Sequence, residues 1–292
     1  MNKLKGTLFI LGAAVLWGCI GPVARLAFAQ GMTPLEVALW RAVFGWFFFV
    51  LHAVSIKQAG IRSRDLPLIF IFGLVCVTGF YGSYQLAVNT GGAALASVLL
   101  YTAPAWVALL AWFFLKEKIT FRIFSGMSVS MAGVALISVS SAAAFGKDLS
   151  WTAVLFGLLA GFTYALYYIF GKILFARYQA VTVFSWILIT GAAGLLPVTG
   201  LEPPPIKSLP ALVFLGFMST YLAYFAYSKG LMLLKASQAA VIATVEPVVA
   251  TLLAYIFWRE NLGLWGYAGA LLVISGVIIQ SIDRKTPKKP EA

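Results

Sequence analysis

The stretch LPLIFIFGLVCVTGFYGSY at residues 66–84 returns without a gap as LPALVFLGFMSTYLAYFAY at residues 209–227. Pro67 pairs with Pro210, Gly73 with Gly216, Tyr81 with Tyr224 and Tyr84 with Tyr227, each pair 143 residues apart. The same offset carries on through Pro104 and Pro247, Glu117 and Glu260, Gly126 and Gly269, and Gly133 and Gly276. A weaker match, offset by the 147 residues that separate Arg25 from Lys172, sets Trp17 and Gly18 opposite Tyr164 and Ala165. Self-similarity at a fixed offset marks a duplicated architecture. It divides the chain into halves at 1–145 and 146–292.

The repeated unit is apolar nearly throughout, and so is the chain: 62% of its 292 residues are hydrophobic and 10% charged. Soluble domains carry about 45–50% apolar residues, so the medium that solvates this surface is lipid. A helix that crosses a bilayer needs about 20 apolar residues. The sequence divides accordingly into ten spans near 8–28, 35–54, 66–88, 93–115, 121–139, 151–170, 181–198, 209–227, 237–257 and 264–282. The first follows Lys3 and Lys5 as a secretory signal would, yet it is long and more spans follow, so we read it as an uncleaved helix. The expected fold is an all-α membrane protein of ten transmembrane helices.

The formal charge of +12 suits topology better than nucleic acid, because the basic residues lie in short runs between spans and form no arm or basic face. With the N-terminus in the cytoplasm, the inner segments hold Lys3 and Lys5; Lys57, Arg62 and Arg64; Lys116, Lys118 and Arg122; Lys172 and Arg177; Lys229 and Lys235; and Arg284, Lys285, Lys288 and Lys289. The outer segments hold Lys147, Lys207 and Arg259. The positive-inside rule then sets both termini in the cytoplasm of a bacterial inner (plasma) membrane protein. Each half has an odd number of spans, so the second enters from the opposite side. The result is two inverted-topology five-helix repeats, an architecture of secondary transporters with a site where the repeats meet.

Polar groups inside the spans are the candidates for chemistry. Glu246 precedes Pro247 near mid-span, where a carboxyl is costly and functional by default; it either meets a substrate ammonium or proton, or is a protonated group bonded to nearby backbone. Its repeat mate is Ala103. Arg41 either aims its guanidinium at a substrate carboxylate or snorkels outward, while Arg25 is an interfacial anchor or a gate partner of Glu36. Tyr81, Tyr84, Gln85 and Val88 share one helical face, and Tyr221, Tyr224, Tyr227 and Ser228 form its counterpart. Together with Trp17, Tyr101, Trp106, Tyr164, Tyr168 and Gln238 they are expected to supply an amphipathic pocket, with about half of them reaching it. Pro104 and Pro247 are expected to kink spans four and nine as hinges, freeing the carbonyls of Leu100 and Ala243 toward the cavity.

Other residues receive plainer readings. Gly126, Ser130, Gly133, Gly269 and Gly276 suit close helix packing or a dimer interface. Glu117 and Glu260 are expected in interfacial ion pairs with Lys116, Lys118 and Arg259. His52 reads as a polar helix end, and Cys19 and Cys76 as small apolar residues.

At the repeated end of each half stand Leu99-Leu100-Tyr101-Thr102-Ala103-Pro104, running on to Leu115-Lys116-Glu117, and Ala243-Thr244-Val245-Glu246-Pro247, running on to Trp258-Arg259-Glu260. With Trp17-Gly18 in the first span, this resembles the EamA family of the drug/metabolite transporter superfamily over nearly the whole chain. The resemblance implies a ten-helix carrier, usually an exporter of amino acids or other small metabolites. It also implies a cavity lined mainly by helices one, three, four, six, eight and nine.

The leading expectation is thus a secondary transporter that exports amino acids or similar metabolites by alternating access, with protons as a candidate coupling ion. Carriers of organic cations, drugs or sugar and phosphate metabolites are alternatives, though no dense set of cavity lysines and arginines suits a polyphosphate. An integral-membrane enzyme is the alternative of another class, and it lacks a catalytic cluster. A channel or receptor does not call for inverted halves. The expected partners are a small-molecule substrate and the lipid bilayer, with no nucleic acid and no cofactor, in a monomer or homodimer.

Overall fold

A computed structural model describes residues 2–140, 150–259 and 263–281. Ten helices long and apolar enough to cross a membrane run over Asn2–Phe28, Pro34–Ser55, Ser63–Gly92, Leu95–Phe114, Phe121–Val139, Trp151–Phe175, Ala180–Thr199, Ile206–Leu233, Ala236–Phe257 and Gly263–Ser281. These are called spans one to ten below. No strand occurs among the described residues. The expected boundary between the halves at 145 and 146, Lys147, Glu260 and the basic tail from Arg284 lie outside the described residues.

Local sequence explains how these helices start and turn. Span two opens with a capping box: the Thr33 hydroxyl accepts from the Glu36 N–H at 3.3 Å, while the Glu36 carboxylate accepts from the Thr33 N–H at 2.6 Å. Two backbone donors of the first turn are thereby satisfied, and Pro34 at the first helical position needs no donor. This places Glu36 in the cap of span two. Spans three and four join with almost no loop, because Gly92 takes a positive φ of 83° that residues with a Cβ rarely adopt.

The duplication is visible in the irregularities as well as in the helices. A 3₁₀ turn precedes each repeated stretch, at Ser63–Asp65 and Ile206–Ser208. A π-helical segment follows in each, Gly73–Gly79 and Phe217–Leu222. Such turns carry i→i+5 hydrogen bonds and cluster at functional sites. The 3.6-residue periodicity of the sequence gives no hint of them.

Packing runs across the halves. Span one lies along span eight, two along seven, three along six and five along ten. Where spans five and ten cross, Gly133 and Gly269 face each other so closely that a Cβ on Gly133 would sit 2.6 Å from the Gly269 carbonyl oxygen. Further along the same pair, the Gln280 amide donates to the Arg122 carbonyl at 2.8 Å, and the Arg122 guanidinium donates to the Ile279 carbonyl. The glycine faces expected from sequence therefore pack within one chain. Close backbone approach of this kind replaces the hydrophobic drive that helices lack in lipid.

Spans four and nine are each broken in the middle. Span four stops at Leu100 and restarts as Ala103–Phe114; span nine stops at Ala243 and restarts as Glu246–Trp258. Pro104 and Pro247 thus stand in the first turn of a second half-helix, where a missing N–H costs nothing, instead of kinking a continuous helix. The Thr102 hydroxyl donates to the Leu99 carbonyl at 2.6 Å, and the Thr244 hydroxyl to the Val241 carbonyl at 2.6 Å. Each break is closed by its own threonine. The Leu100 carbonyl faces Gly161 of span six, where a Cβ would come within 3.1 Å of it, so this group packs against a helix and not into open space.

A side chain at the crossing of spans five and ten is expected to cost about 1–3 kcal/mol by overpacking. Gly133→Leu should lower the thermal midpoint in detergent, whereas Gly82→Ala, with nothing within 4 Å of the added Cβ, should leave it unchanged or slightly raised.

Candidate functional site

One large cavity, about 720 Å³, opens between the halves and is lined by spans one to six, eight and nine. Spans two and five thus join the six helices implied by the family resemblance. The volume falls within the roughly 300–1,000 Å³ range of small-molecule pockets. Its mouth lies where span one ends and span two begins, at Phe28, Pro34 and Leu35. At the other end of the bundle, the beginning of span one packs at Gly6 against Leu233 and Leu234 at the end of span eight.

The first-half stripe is brought together as one wall, with Tyr81, Tyr84, Gln85 and Val88 all facing the cavity. They lie on the part of span three beyond its π segment, which runs toward the mouth. Tyr81 accepts a hydrogen bond from Nη2 of Arg41, whose guanidinium carbon lies 5.1 Å from the centre of the Tyr81 ring. Arg41 is only 7% exposed, and its Nε has no hydrogen-bond partner within the protein. A buried guanidinium in a cavity wall is matched to a planar anion such as a carboxylate. Its position excludes the snorkelling alternative.

Glu246 lies in the same cavity, at the first residue of the restarted half of span nine. An acidic group is favourable there, because the backbone N–H groups of a helix start carry partial positive charge. Tyr101 and Arg41 line the same cavity as this carboxyl. Because the mate of Glu246 is Ala103, the inverted repeat places an acid at one helix break and a methyl group at the other.

An aromatic floor closes the cavity below these charges. Trp17 stands edge-on to Tyr224 at 5.4 Å between ring centres, Tyr224 stacks on Tyr167 at 5.7 Å, and Tyr164 stacks on Phe80 at 5.4 Å. Of the sequence-derived candidates, Trp17, Arg41, Tyr81, Tyr84, Gln85, Tyr101, Tyr164, Tyr224, Glu246 and Pro247 line the cavity. The remaining five stand elsewhere. Tyr168 and Tyr227 are buried one helical turn below the floor, their rings 5.3 Å apart and edge to face. Gln238 lies on the first half of span nine, Pro104 borders a small crevice, and Trp106 packs edge-on against Phe162 at 5.5 Å. The periodicity that groups Tyr221 with Tyr224 and Tyr227 fails at Tyr221, whose hydroxyl meets His52 Nδ1 at 2.8 Å outside the cavity. Ser97, Ser138 and Thr251 also line the cavity. A lone hydroxyl on an apolar helix gave no signal in the sequence.

Among the described residues no three of His, Cys, Asp or Glu gather as metal ligands. Ten apolar spans folded as interlocked inverted repeats around a central polar cavity define the class: a multi-pass membrane transporter. The comparisons with known proteins give the family. Residues 4–139 and 151–282 match the EamA-like transporter family, and the chain belongs to it. It is 28% identical to the uncharacterized transporter YdfC of Bacillus subtilis, over 90% of this chain and 86% of that protein. It is likewise 28% identical to a probable terminal-alkyne amino-acid exporter of Streptantibioticus cattleyicolor, over 98% of this chain and 96% of that protein. A crystal structure sharing 19% identity superposes with a TM-score of 0.81, covering 94% of this chain and 95% of that one.

Placement around the cavity is readable by thiol chemistry, since a membrane-impermeant maleimide reaches only water-filled space. In a Cys19→Ala, Cys76→Ala background, Tyr84→Cys and Gln85→Cys should react about tenfold or more faster than Trp106→Cys and Tyr227→Cys, as accessible thiolate governs the rate. Equal rates at all four positions would contradict the lining described.

Proposed function

We propose that this protein is a secondary carrier of the bacterial inner membrane that exports amino acids or similar small zwitterionic metabolites by alternating access. The observation that carries this reading is the presence of Arg41 and Glu246 in one cavity, which Arg25 also lines at the far end of span one and whose other walls are neutral. A buried guanidinium in the cavity wall takes the carboxylate of a zwitterion, and a carboxylate at a helix start takes its ammonium. Neither charge pairs directly with the other within 4 Å among the described residues, so both remain available to a solute.

The rest of the lining shapes the remainder of the solute. Ile20, Ala24, Phe28, Val37 and Ala250 form an apolar wall toward the mouth, opposite Tyr84, Gln85 and Ser97. A zwitterionic head held between Arg41 and Glu246 would extend an apolar side chain along that wall. The similarity to a probable amino-acid exporter agrees with this chemistry. With both termini in the cytoplasm, as the basic loops favour, the cavity faces outward. The halves at 1–145 and 146–292 are the bodies whose relative rearrangement reverses access. Glu246 exchanges the coupling proton against the substrate ammonium, and Pro104 and Pro247 mark the points where the broken helices bend. The whole path lies within one chain, which suits a monomer or a homodimer of independent carriers.

Counterflow into proteoliposomes loaded with a mixed metabolite pool, read by mass spectrometry at two pH values, tests the reading. Zwitterions with apolar side chains are expected to exchange, faster when a proton gradient drives them; failure of every solute to exchange would remove the carrier function. Arg41→Lys, which keeps the charge but loses the planar fork, should raise the half-saturating concentration about tenfold, roughly 1.4 kcal/mol. Glu246→Gln should abolish the response to pH; a variant that retains both transport and its pH dependence would refute proton exchange at this residue.

A further inference from the structure

Below the aromatic floor lies a second, much smaller crevice, too narrow to hold a water molecule and bordered by Tyr101, Pro104, Tyr168, Ala240, Ala243 and Thr244. Its span-nine residues are not arbitrary. At the repeat offset of 143 residues, Ala240, Ala243 and Thr244 are the mates of Ser97, Leu100 and Tyr101, which line the open cavity from span four. The same relation links Tyr84 and Gln85 of the open wall to Tyr227 and Ser228, which are buried here. The Tyr227 hydroxyl has no hydrogen-bond partner within the protein. An orphaned buried hydroxyl costs about 1–3 kcal/mol, and exposure to water in another arrangement of the same helices removes that cost.

The closed end is fastened by polar contacts that cross between the halves. Glu117, just past the end of span four, accepts from the Ala236 N–H at 2.7 Å and from the Ser237 hydroxyl at 2.9 Å, capping the start of span nine. This overturns the expectation of an ion pair for Glu117. Within the second half, Lys172 of span six donates to the Leu234 carbonyl at 2.6 Å, so the turn between spans eight and nine is held from both sides. Asp65, 5% exposed at the start of span three, accepts from Arg177 at 3.0 Å and from the Tyr178 hydroxyl at 2.6 Å. Beside it the Trp186 indole donates to the Ala59 carbonyl at 2.9 Å.

We propose that this crevice, bordered from span nine by Ala240, Ala243 and Thr244 and accompanied by the buried Tyr227 and Ser228 of span eight, is the collapsed vestibule of the opposite face, and that Glu117 and Asp65 are the gating residues that hold it shut. Asp65 and Glu117 touch no solute in this arrangement. They act by favouring the closed end, so their loss moves the equilibrium toward the state in which that end is open and the present cavity is closed. This inference rests on the alternating-access reading, but its test needs no transported solute.

The experiment uses the full chain in nanodiscs, where both faces meet the reagent, in the Cys19→Ala, Cys76→Ala background. Ser97→Cys reports the open cavity and Ala240→Cys the small crevice, each by its rate of reaction with an impermeant maleimide. With the gating residues intact, Ser97→Cys is expected to react quickly and Ala240→Cys slowly. Asp65→Asn combined with Glu117→Gln should speed Ala240→Cys by about tenfold and slow Ser97→Cys, the reciprocal change that a population shift requires. Unchanged rates at both positions would overturn the proposal, and so would a rise at both, which signals general loosening. The conservative pair Asp65→Glu with Glu117→Asp, which keeps both carboxylates, separates gating from a weakened fold: Ala240→Cys should return toward its slow rate. A fast rate that persists in this pair counts against the gate. Because labelling is read without transport, a failed counterflow assay and a failed gate are distinguishable.

Discussion

A backbone N–H or C=O inside a bilayer has no water to bond, so it must find its partner in the protein. Every unusual feature of this chain answers to that constraint. Spans four and nine are interrupted at mid-membrane, which would strand several carbonyls and amides if the breaks faced lipid. Thr102 and Thr244 each return a hydroxyl to the carbonyl three residues earlier, and proline in the restarting turn removes a donor that would have gone unpaired. Gly161 lets span six approach the first break closely enough to cover it. The irregular backbone is therefore confined to the centre, beside the cavity.

The same breaks create the electrostatics of the site. A helix that restarts at mid-membrane aims its partly positive N-terminal end into the cavity, and Glu246 occupies that position. In the first half the equivalent position is Ala103, so the duplicated frame carries a single acid. Arg41 enters from span two, its guanidinium held by Tyr81 and its Nε without a partner within the protein. One acid, two arginines (Arg41 and, at the end of span one, Arg25) and a wall of phenols form an environment that is polar in a few directions and apolar in the rest, as small-molecule sites generally are.

Inverted symmetry also relates what is open to what is closed. Ser97, Leu100 and Tyr101, which line the cavity from span four, have their mates Ala240, Ala243 and Thr244 around the small crevice, while Tyr81 and its mate Tyr224 both face the open cavity. Spans five and ten, pinned by facing glycines and by Arg122 with Gln280, pack too closely to slide freely.

The sequence alone determined the medium, the ten spans and their pairing into repeats, because hydrophobic length and a constant offset are local quantities that survive without coordinates. It also singled out Arg41, Glu246 and the Tyr81–Gln85 face, since charges within apolar runs and residues three and four apart are legible along a chain. The π segments, the complete breaks in spans four and nine, and the roles of Glu117 and Asp65 in joining the halves were decided only by the tertiary structure. So was the division of the candidate aromatics, with Tyr84 in the open cavity and its mate Tyr227 sealed beneath the floor. The physical reason is that the repeat pattern treats such mates as equivalent, whereas packing across the halves decides which of them meets the cavity. That packing rests on contacts between residues more than a hundred positions apart, such as Asp65 with Arg177, and no local pattern encodes them.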